Sequence, residues 1–281
     1  MTLALAVAVK NINIVMESLL NELSPRLKKE FTWILKDKYN LNPLEISKIF
    51  LKEVSLSVSQ KKDLKRLIKG EPVNYIIGWV DFLSCYIDLS YKPLIPRPET
   101  EYWVKKVIDK YKGKKVKVLD LGCGSGCIGI SVLKHLANSE VDFVDIDNSF
   151  LLQTKKNLKL NKIKKDRFKL FLSDGFLNLP KDFKYDLILT NPPYVSPKFK
   201  NKDLNWEPKV ALYTKDNGLL VIKNIIYYAK SYLKPNGRVY MEFDGSNLEQ
   251  KKAIESLLKK AGYPYSFYKD QNQLFRYVSF Y

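Results

Sequence analysis

Four consecutive residues of this 281-residue chain, Asn191-Pro192-Pro193-Tyr194, combine a side-chain amide, two prolines and an aromatic ring. The prolines fix φ, so a polar group held beside them is rigid and pre-organised. An amide or aromatic amino nitrogen is a poor nucleophile, because its lone pair is delocalised into a π system. The Asn191 side-chain oxygen and the Pro192 carbonyl can each accept one N–H of such a group and leave the lone pair aimed at an electrophile. Pro193 stiffens the turn, and Tyr194 can stack on the planar group. No strong base is required, since the nitrogen becomes acidic as it gains positive charge. Asn191, Pro192 and Tyr194 are the candidate catalytic residues, and 191–194 is the candidate substrate loop. These four residues do not choose between an amide and an adenine.

A second stretch, Asp120-Leu121-Gly122-Cys123-Gly124-Ser125-Gly126, reads as a tight glycine turn that lets backbone approach a ligand. Its spacing is read as GxGxG, without the third glycine expected of a dinucleotide fingerprint, so a nucleotide-binding Rossmann domain stays a competitor. Asp145 lies about twenty residues on, where a carboxylate can accept both ribose hydroxyl protons. S-adenosylmethionine has free ribose hydroxyls and no pyrophosphate, and suits both features. The helix N-cap after Asp145 falls more naturally to Asp147 or Asn148. Asp174-Gly175 is a further candidate contact, for the adenine amino group, or a plain turn. The cofactor set is therefore Gly122, Cys123, Gly124, Ser125, Gly126, Asp145, Asp174, Gly175 and Asn191.

These residues need elements to hold them. Apolar runs and turn signals predict strands at 116–120, 141–145, 168–173, 185–190 and 238–243. Helices are predicted at 128–136, from after Asp145 through Leu160, at 219–233 and at 248–260. Alternating units of this kind imply a mostly parallel sheet with helices on both faces. Two final strands, 265–268 and 275–281, have no helix between them, so one should run antiparallel. Before residue 80 the pattern is one of short helices, with Ser24-Pro25 and Asn42-Pro43 as cap-plus-proline starts. Asn42 with Glu45, and Ser57 with Gln60, have capping-box spacing. Alternation over 82–89 suggests a hairpin, and Pro93, Pro96 and Pro98 stiffen a linker.

Composition narrows the chemistry. Three cysteines and one histidine, His135, supply no disulfide framework, no zinc set and no histidine-activated nucleophile. The apolar segment 3–9 is too short to span a bilayer and reads as a helix start or packing strand, so a cytoplasmic protein is expected. The formal charge of +18 invites a nucleic-acid partner. Lysine is spread along the whole chain, which argues for compositional bias instead and against a direct nucleic-acid substrate.

The sequence resembles the HemK-like bacterial release factor glutamine methyltransferases over most of its length. Gly70-Glu71-Pro72-Val73-Asn74-Tyr75-Ile76-Ile77-Gly78, the linker Leu94-Ile95-Pro96-Arg97-Pro98-Glu99-Thr100-Glu101, the loop 191–194, Glu207-Pro208, Ala211-Leu212 and Gly218-Leu219 carry the likeness. The four-residue loop alone is shared with adenine-N6 DNA methyltransferases and a ribosomal-protein glutamine methyltransferase. The segment Arg97 to Glu101 separates this chain from the latter. The resemblance implies a class I S-adenosylmethionine-dependent methyltransferase, α/β and Rossmann-like, with a mostly parallel seven-stranded sheet and a small N-terminal helical domain. It implies a helical bundle at 1–80 that binds the substrate protein, a hairpin and linker at 81–98 and a methyltransferase domain at 99–281. It also implies methylation of the glutamine N5 in the Gly-Gly-Gln motif of class I peptide chain release factors, with Asn191 touching both cofactor and glutamine and no metal. Two departures stand out. Gly175 replaces a bulkier residue, so any contact there is through backbone, and the glycine of 241–245 is shifted by one or two places.

Overall fold

A computed structural model describes residues 20, 22–199 and 204–281. The apolar segment 3–9 lies outside the described residues. The chain divides into two compact units between Gly78 and Trp79, so the hairpin belongs to the second.

The described part of the first unit holds four helices, α1 (Pro25–Trp33), α2 (Pro43–Phe50), α3 (Val58–Ile68) and α4 (Val73–Ile77). The starts of the first three are made as the sequence predicts; α4, after Pro72, is not predicted. Ser24 caps α1, and Asn42–Glu45 and Ser57–Gln60 form reciprocal capping boxes at α2 and α3. A π-helical turn, Ile34–Lys38, extends α1 and carries Ile34 and Leu35 into a core with Phe31, Leu64 and Ile76. At the edge of that core the Asp63 carboxylate accepts from Tyr39 Oη at 2.7 Å and Arg66 Nη1 at 3.0 Å, and pairs with Lys38 Nζ at 2.7 Å. Arg66 also holds both oxygens of Glu71 at 2.8 Å.

The second unit opens with a hairpin, β1 (Trp79–Phe82) and β2 (Cys85–Asp88), joined through Leu83 and Ser84 at φ 50° and 61°. Helix α5 (Pro98–Tyr111) follows. The main sheet then comprises β3 (Lys117–Leu121), β4 (Glu140–Asp145), β5 (Phe168–Leu172), β6 (Tyr185–Thr190), β7 (Leu233–Glu242), β8 (Tyr265–Lys269) and β9 (Phe275–Phe280). Its order is β5-β4-β3-β6-β7-β9-β8. The first five strands run parallel, and β9 is the antiparallel one, bonded to both β7 and β8. The order therefore reverses at β3, with one run extending through β4 to β5 and the other through β6 to β7. Helices α6 (Cys127–His135), α7 (Asn148–Leu160), α8 (Lys209–Leu212), α9 (Leu220–Tyr232) and α10 (Leu248–Lys260) also lie in this unit, with short helical turns at Lys165–Arg167 and Lys215–Gly218.

Two features depart from the sequence pattern. Strand β7 begins at Leu233, five residues before the predicted start. The 234–237 segment is carried by a register shift opposite Tyr185–Leu187, where Asn236 takes φ 65°. The backbone of β2 and of the residues just after it is satisfied by side-chain amides of α7 and its C-cap, Asn161, rather than by a third strand. Asn161 exchanges two bonds with Tyr86, Asn157 two with Asp88, and Gln153 accepts from Tyr91 N.

Burial opposes ionisation of Asp63, but bonds from Lys38, Tyr39 and Arg66 prevail and hold its carboxyl below the ordinary aspartate value. Its stabilisation is therefore complete above that ordinary value and lost as pH falls through the lowered one. Asp63→Asn is expected to lower the stability of the first unit by about 2 kcal/mol at neutral pH. Native-state hydrogen exchange on α3 amides measures this, and the wild-type advantage should shrink on acidification.

Candidate active site

The predicted site residues gather along the carboxyl edge of the parallel strands, around the reversal of strand order at β3. Such crevices are where open α/β sheets bind ligands. The glycine loop leaves β3 at Leu121 and turns back at once. Gly122 and Cys123 both donate to the Val144 carbonyl at 2.9 Å. Gly122 and Gly124 have φ of +71° and +54°, with open space where a Cβ would stand. Gly126 is different: at φ +78° its Cβ would meet Thr154 at 2.8 Å. Ser125 is buried and its carbonyl accepts from Asn157, so the α7 residue that binds the hairpin also holds the glycine loop. Cys123 is buried with its Sγ 3.5 Å from Thr154 Oγ1, which makes its side chain a packing group.

One reading of the loop needs correction. Gly129 completes the spacing Gly124-x-Gly126-x-x-Gly129, so a third glycine is present. A Cβ at Gly129 would fall 2.4 Å from the Phe143 ring, and the missing side chain lets α6 lie close on β4. The signal was in the sequence, displaced by counting from Gly122.

Asp145 ends β4 with its carboxylate already oriented: Oδ2 accepts from Gly124 N at 2.8 Å and Oδ1 from Asp147 N at 3.0 Å. Each oxygen retains a second lone pair for a ligand hydroxyl. Asp147, not Asp145, caps α7 by accepting from Ser149 N. Asp174 is exposed beyond the end of β5, and Gly175 beside it takes φ 56°. Ser173 N donates to the Asp145 carbonyl, so this turn adjoins the end of β4.

Asp120 is a residue that sequence reading passed over. It is fully buried; Oδ2 accepts from Gly129 N at 2.8 Å, and Oδ1 has no partner among the described residues. Burial, against the Gly129 bond and aided by the Asp145 charge, pushes its carboxyl up to about 8. Without a ligand the unpaired oxygen carries the carboxyl proton at neutral pH, and a cationic group brought beside it would displace the proton and satisfy the oxygen. Together with the uncovered Gly122 and Gly124 and the aligned Asp145, it fits a nucleoside with free ribose hydroxyls and an attached ammonium group.

The candidate substrate loop, 191–194, starts from β6 beside this loop. Thr190 Oγ1 donates to the Leu121 carbonyl at 2.7 Å, pinning the residue before Asn191 to the residue before Gly122. Pro192 is buried, and Asn191, Pro193 and Tyr194 are half-buried. Beyond the loop, Gln250 Nε2 donates to the Tyr194 carbonyl at 2.9 Å, and Gly218, at φ +88°, leaves room for that carbonyl where a Cβ would stand 2.2 Å away.

Glu242 was not singled out by sequence either, yet it lies under the loop at the end of β7. Its Oε2 accepts from Thr100 Oγ1 at 2.7 Å and Trp103 Nε1 at 2.8 Å, and its Oε1 from Tyr194 Oη at 3.3 Å. Asn191 Nδ2 donates to Thr100 Oγ1 at 3.3 Å. Burial raises the Glu242 carboxyl above its ordinary value despite these bonds. Burial first, then the Glu242 charge, pushes the Tyr194 phenol well above its own, so Tyr194 is a neutral donor. Glu207 performs a similar service for the linker, accepting from Ile95 N at 3.0 Å and pairing with Arg97.

Among the described residues, no group of three or more His, Cys, Asp and Glu side chains could hold a metal ion. No described helix is long and apolar enough to cross a membrane. His135 is exposed, with Nε2 2.8 Å from the Leu83 carbonyl.

Residues 100–208 match the family model described as a Methyltransferase small domain. The chain is 37% identical over 215 residues to the release factor glutamine methyltransferase of Buchnera aphidicola subsp. Acyrthosiphon pisum, covering 74% of this chain and 75% of that protein. It is 35% identical over 219 residues to the release factor glutamine methyltransferase of Francisella tularensis subsp. tularensis, covering 75% of each. Among solved structures, the N-terminal domain of human METTL16 in complex with SAH is similar with a TM-score of 0.52 at 19% identity, over 70% of this chain and 76% of that one. That last likeness is one of fold.

Because the Asp120 carboxyl is raised, the folded chain keeps a proton that the unfolded chain releases near the ordinary aspartate value. Stability therefore falls as pH rises from that value to about 8, the value to which Asp120 is raised. Asp120→Asn keeps an oxygen for Gly129 N and removes the titration. Its melting temperature is expected to gain on the wild type across that window, measured without ligand. Parallel curves for the two proteins would show that Asp120 is ionised throughout.

Proposed function

The chain belongs to the family of release factor glutamine methyltransferases, and on that premise we propose that it methylates the side-chain amide nitrogen (N5) of the glutamine in the Gly-Gly-Gln motif of class I peptide chain release factors. The observation that carries this reading is the Thr190–Leu121 hydrogen bond, which sets the Asn191 loop directly beside the glycine loop.

S-adenosylmethionine, when bound, supplies an electrophilic methyl group. The glycine turn Gly122 to Gly126 gives its backbone access, Asp145 accepts from its ribose, and the free Asp120 oxygen suits its ammonium group. The turn at Asp174 and Gly175, next to the end of β4, would meet its adenine. On the substrate side, Asn191 Oδ1 and the Pro192 carbonyl accept the two N–H bonds of the glutamine amide. That grip fixes the orientation of the amide plane and directs the nitrogen lone pair along the line of transfer. Positioning then carries most of the rate, as bound geometry replaces lost translational freedom. Pro193 fixes the turn. Tyr194, tied to Glu242 through its hydroxyl, offers a ring of fixed orientation.

The first unit is the proposed contact for the release factor, as the resemblance suggests. Its groove of about 970 Å³ lined by Leu41, Pro43, Ile46, Phe50 and Leu51 supports that role.

Incubation with labelled S-adenosylmethionine and a class I release factor should label the Gly-Gly-Gln glutamine. Label found only on adenine in added DNA or RNA overturns the reading. Asn191→Ala is expected to reduce turnover on the order of 10²-fold, by analogy with loss of one oriented group from an oxyanion hole. Cofactor affinity, read by calorimetry, should change much less.

A further inference from the structure

An asparagine amide in a substrate loop can stand either way round, presenting its oxygen or its NH2. Only the oxygen serves a substrate that brings N–H bonds, so something must fix the choice. In this fold the choice is imposed by a chain of groups whose donor and acceptor roles admit one solution.

The chain begins at Trp103. An indole nitrogen only donates, so Glu242 Oε2, 2.8 Å away, must accept from it. A proton on the buried acid would then reside on Oε1, so Oε2 is an acceptor whether or not Glu242 is ionised. Thr100 Oγ1 lies 2.7 Å from that same oxygen and must spend its one proton there. Its oxygen is left as an acceptor toward Asn191, 3.3 Å away. Only the Asn191 NH2 can meet it, because the amide oxygen would face lone pair against lone pair.

We infer that Glu242, acting through Thr100, is a positioning residue that locks the Asn191 amide with its oxygen toward the substrate; this rests on the glutamine-methylation reading above. Tyr194 Oη donates to the other oxygen of the same carboxyl, so one buried acid sets both ends of the four-residue loop. Thr100 stands in the linker signature, far from the loop in sequence, and the relay gives its hydroxyl a specific task.

Three variants of the full chain test this, assayed with a class I release factor and S-adenosylmethionine. Thr100→Val keeps the shape and removes the oxygen. It should lower kcat about tenfold, the equivalent of one net hydrogen bond, with KM for the release factor and cofactor affinity little changed. Thr100→Ser keeps the hydroxyl, loses the methyl, and should restore most of kcat. A packing role for Thr100 predicts the reverse order, and that order overturns the relay. Glu242→Gln must turn its oxygen toward Trp103 and so still accepts from Thr100, while its NH2 meets the Tyr194 hydroxyl; kcat should fall less than in Thr100→Val, and an equal or greater fall also overturns the relay.

A measurement on the unmodified protein separates the relay from the substrate reading. The Asn191 side-chain NH2 protons should exchange slowly in nitrogen-15 NMR of the wild type, and fast exchange there overturns the relay. Slow exchange in a wild type that methylates no release factor sustains the relay and defeats the substrate reading.

Discussion

A carboxylate removed from water must find its hydrogen bonds in the protein, and around Glu242 that requirement organises the site. Its three donors come from α5, through Thr100 and Trp103, and from the substrate loop, through Tyr194. No one of these elements can shift alone without leaving a buried polar group unpaired. The linker that resembles the family's signature is thereby joined to the loop that carries the amide. Glu207 repeats the device at the other end of the linker, holding Ile95 and Arg97. Two buried acids thus fix a segment that contains three prolines and little regular structure.

The glycine loop depends on a different constraint, that of close approach. Gly129 lets α6 lie against Phe143, and Gly126 gives space to Thr154. Gly122 and Gly124 face open space, and their positive φ angles turn the chain without blocking a ligand. The loop is further held from behind by Asn157, which also binds Asp88 in the hairpin. The hairpin is therefore more than a connection: its unpaired edge is closed by α7, and α7 in turn braces the loop. Packing that secures the fold and packing that shapes the site share the same side chains.

Much of the architecture was legible in the sequence. The order of strands and helices follows from apolar runs separated by turn signals, and the caps at Ser24, Asn42 and Ser57 follow from local hydrogen bonding. The position of the 191–194 loop at the end of a buried strand was legible too, since two prolines there leave few conformations. Strand β7 was misplaced at its start because 234–237, with a proline, an asparagine and a glycine, reads as a turn. Pairing with Tyr185 and a register shift extend the strand across it, a tertiary effect that no local pattern records. Gly129 is present in the sequence three residues after Gly126, but its closeness to Phe143 exists only in the folded chain.

The sequence by itself determined the residue types, their place at strand ends and the chemistry an amide beside two prolines can offer, because these depend on neighbours within a few positions. Only the tertiary structure decided which acids are buried beside those residues. Asp120 and Glu242 look like ordinary strand-terminal carboxylates in one dimension. Their burial, the orphan oxygen of the first and the three donors of the second come from residues up to 142 positions away. The physical reason is that hydrogen-bond satisfaction is a property of position in space. The same holds for the four-residue loop: its sequence offers an oxygen or an NH2, and its surroundings leave the oxygen.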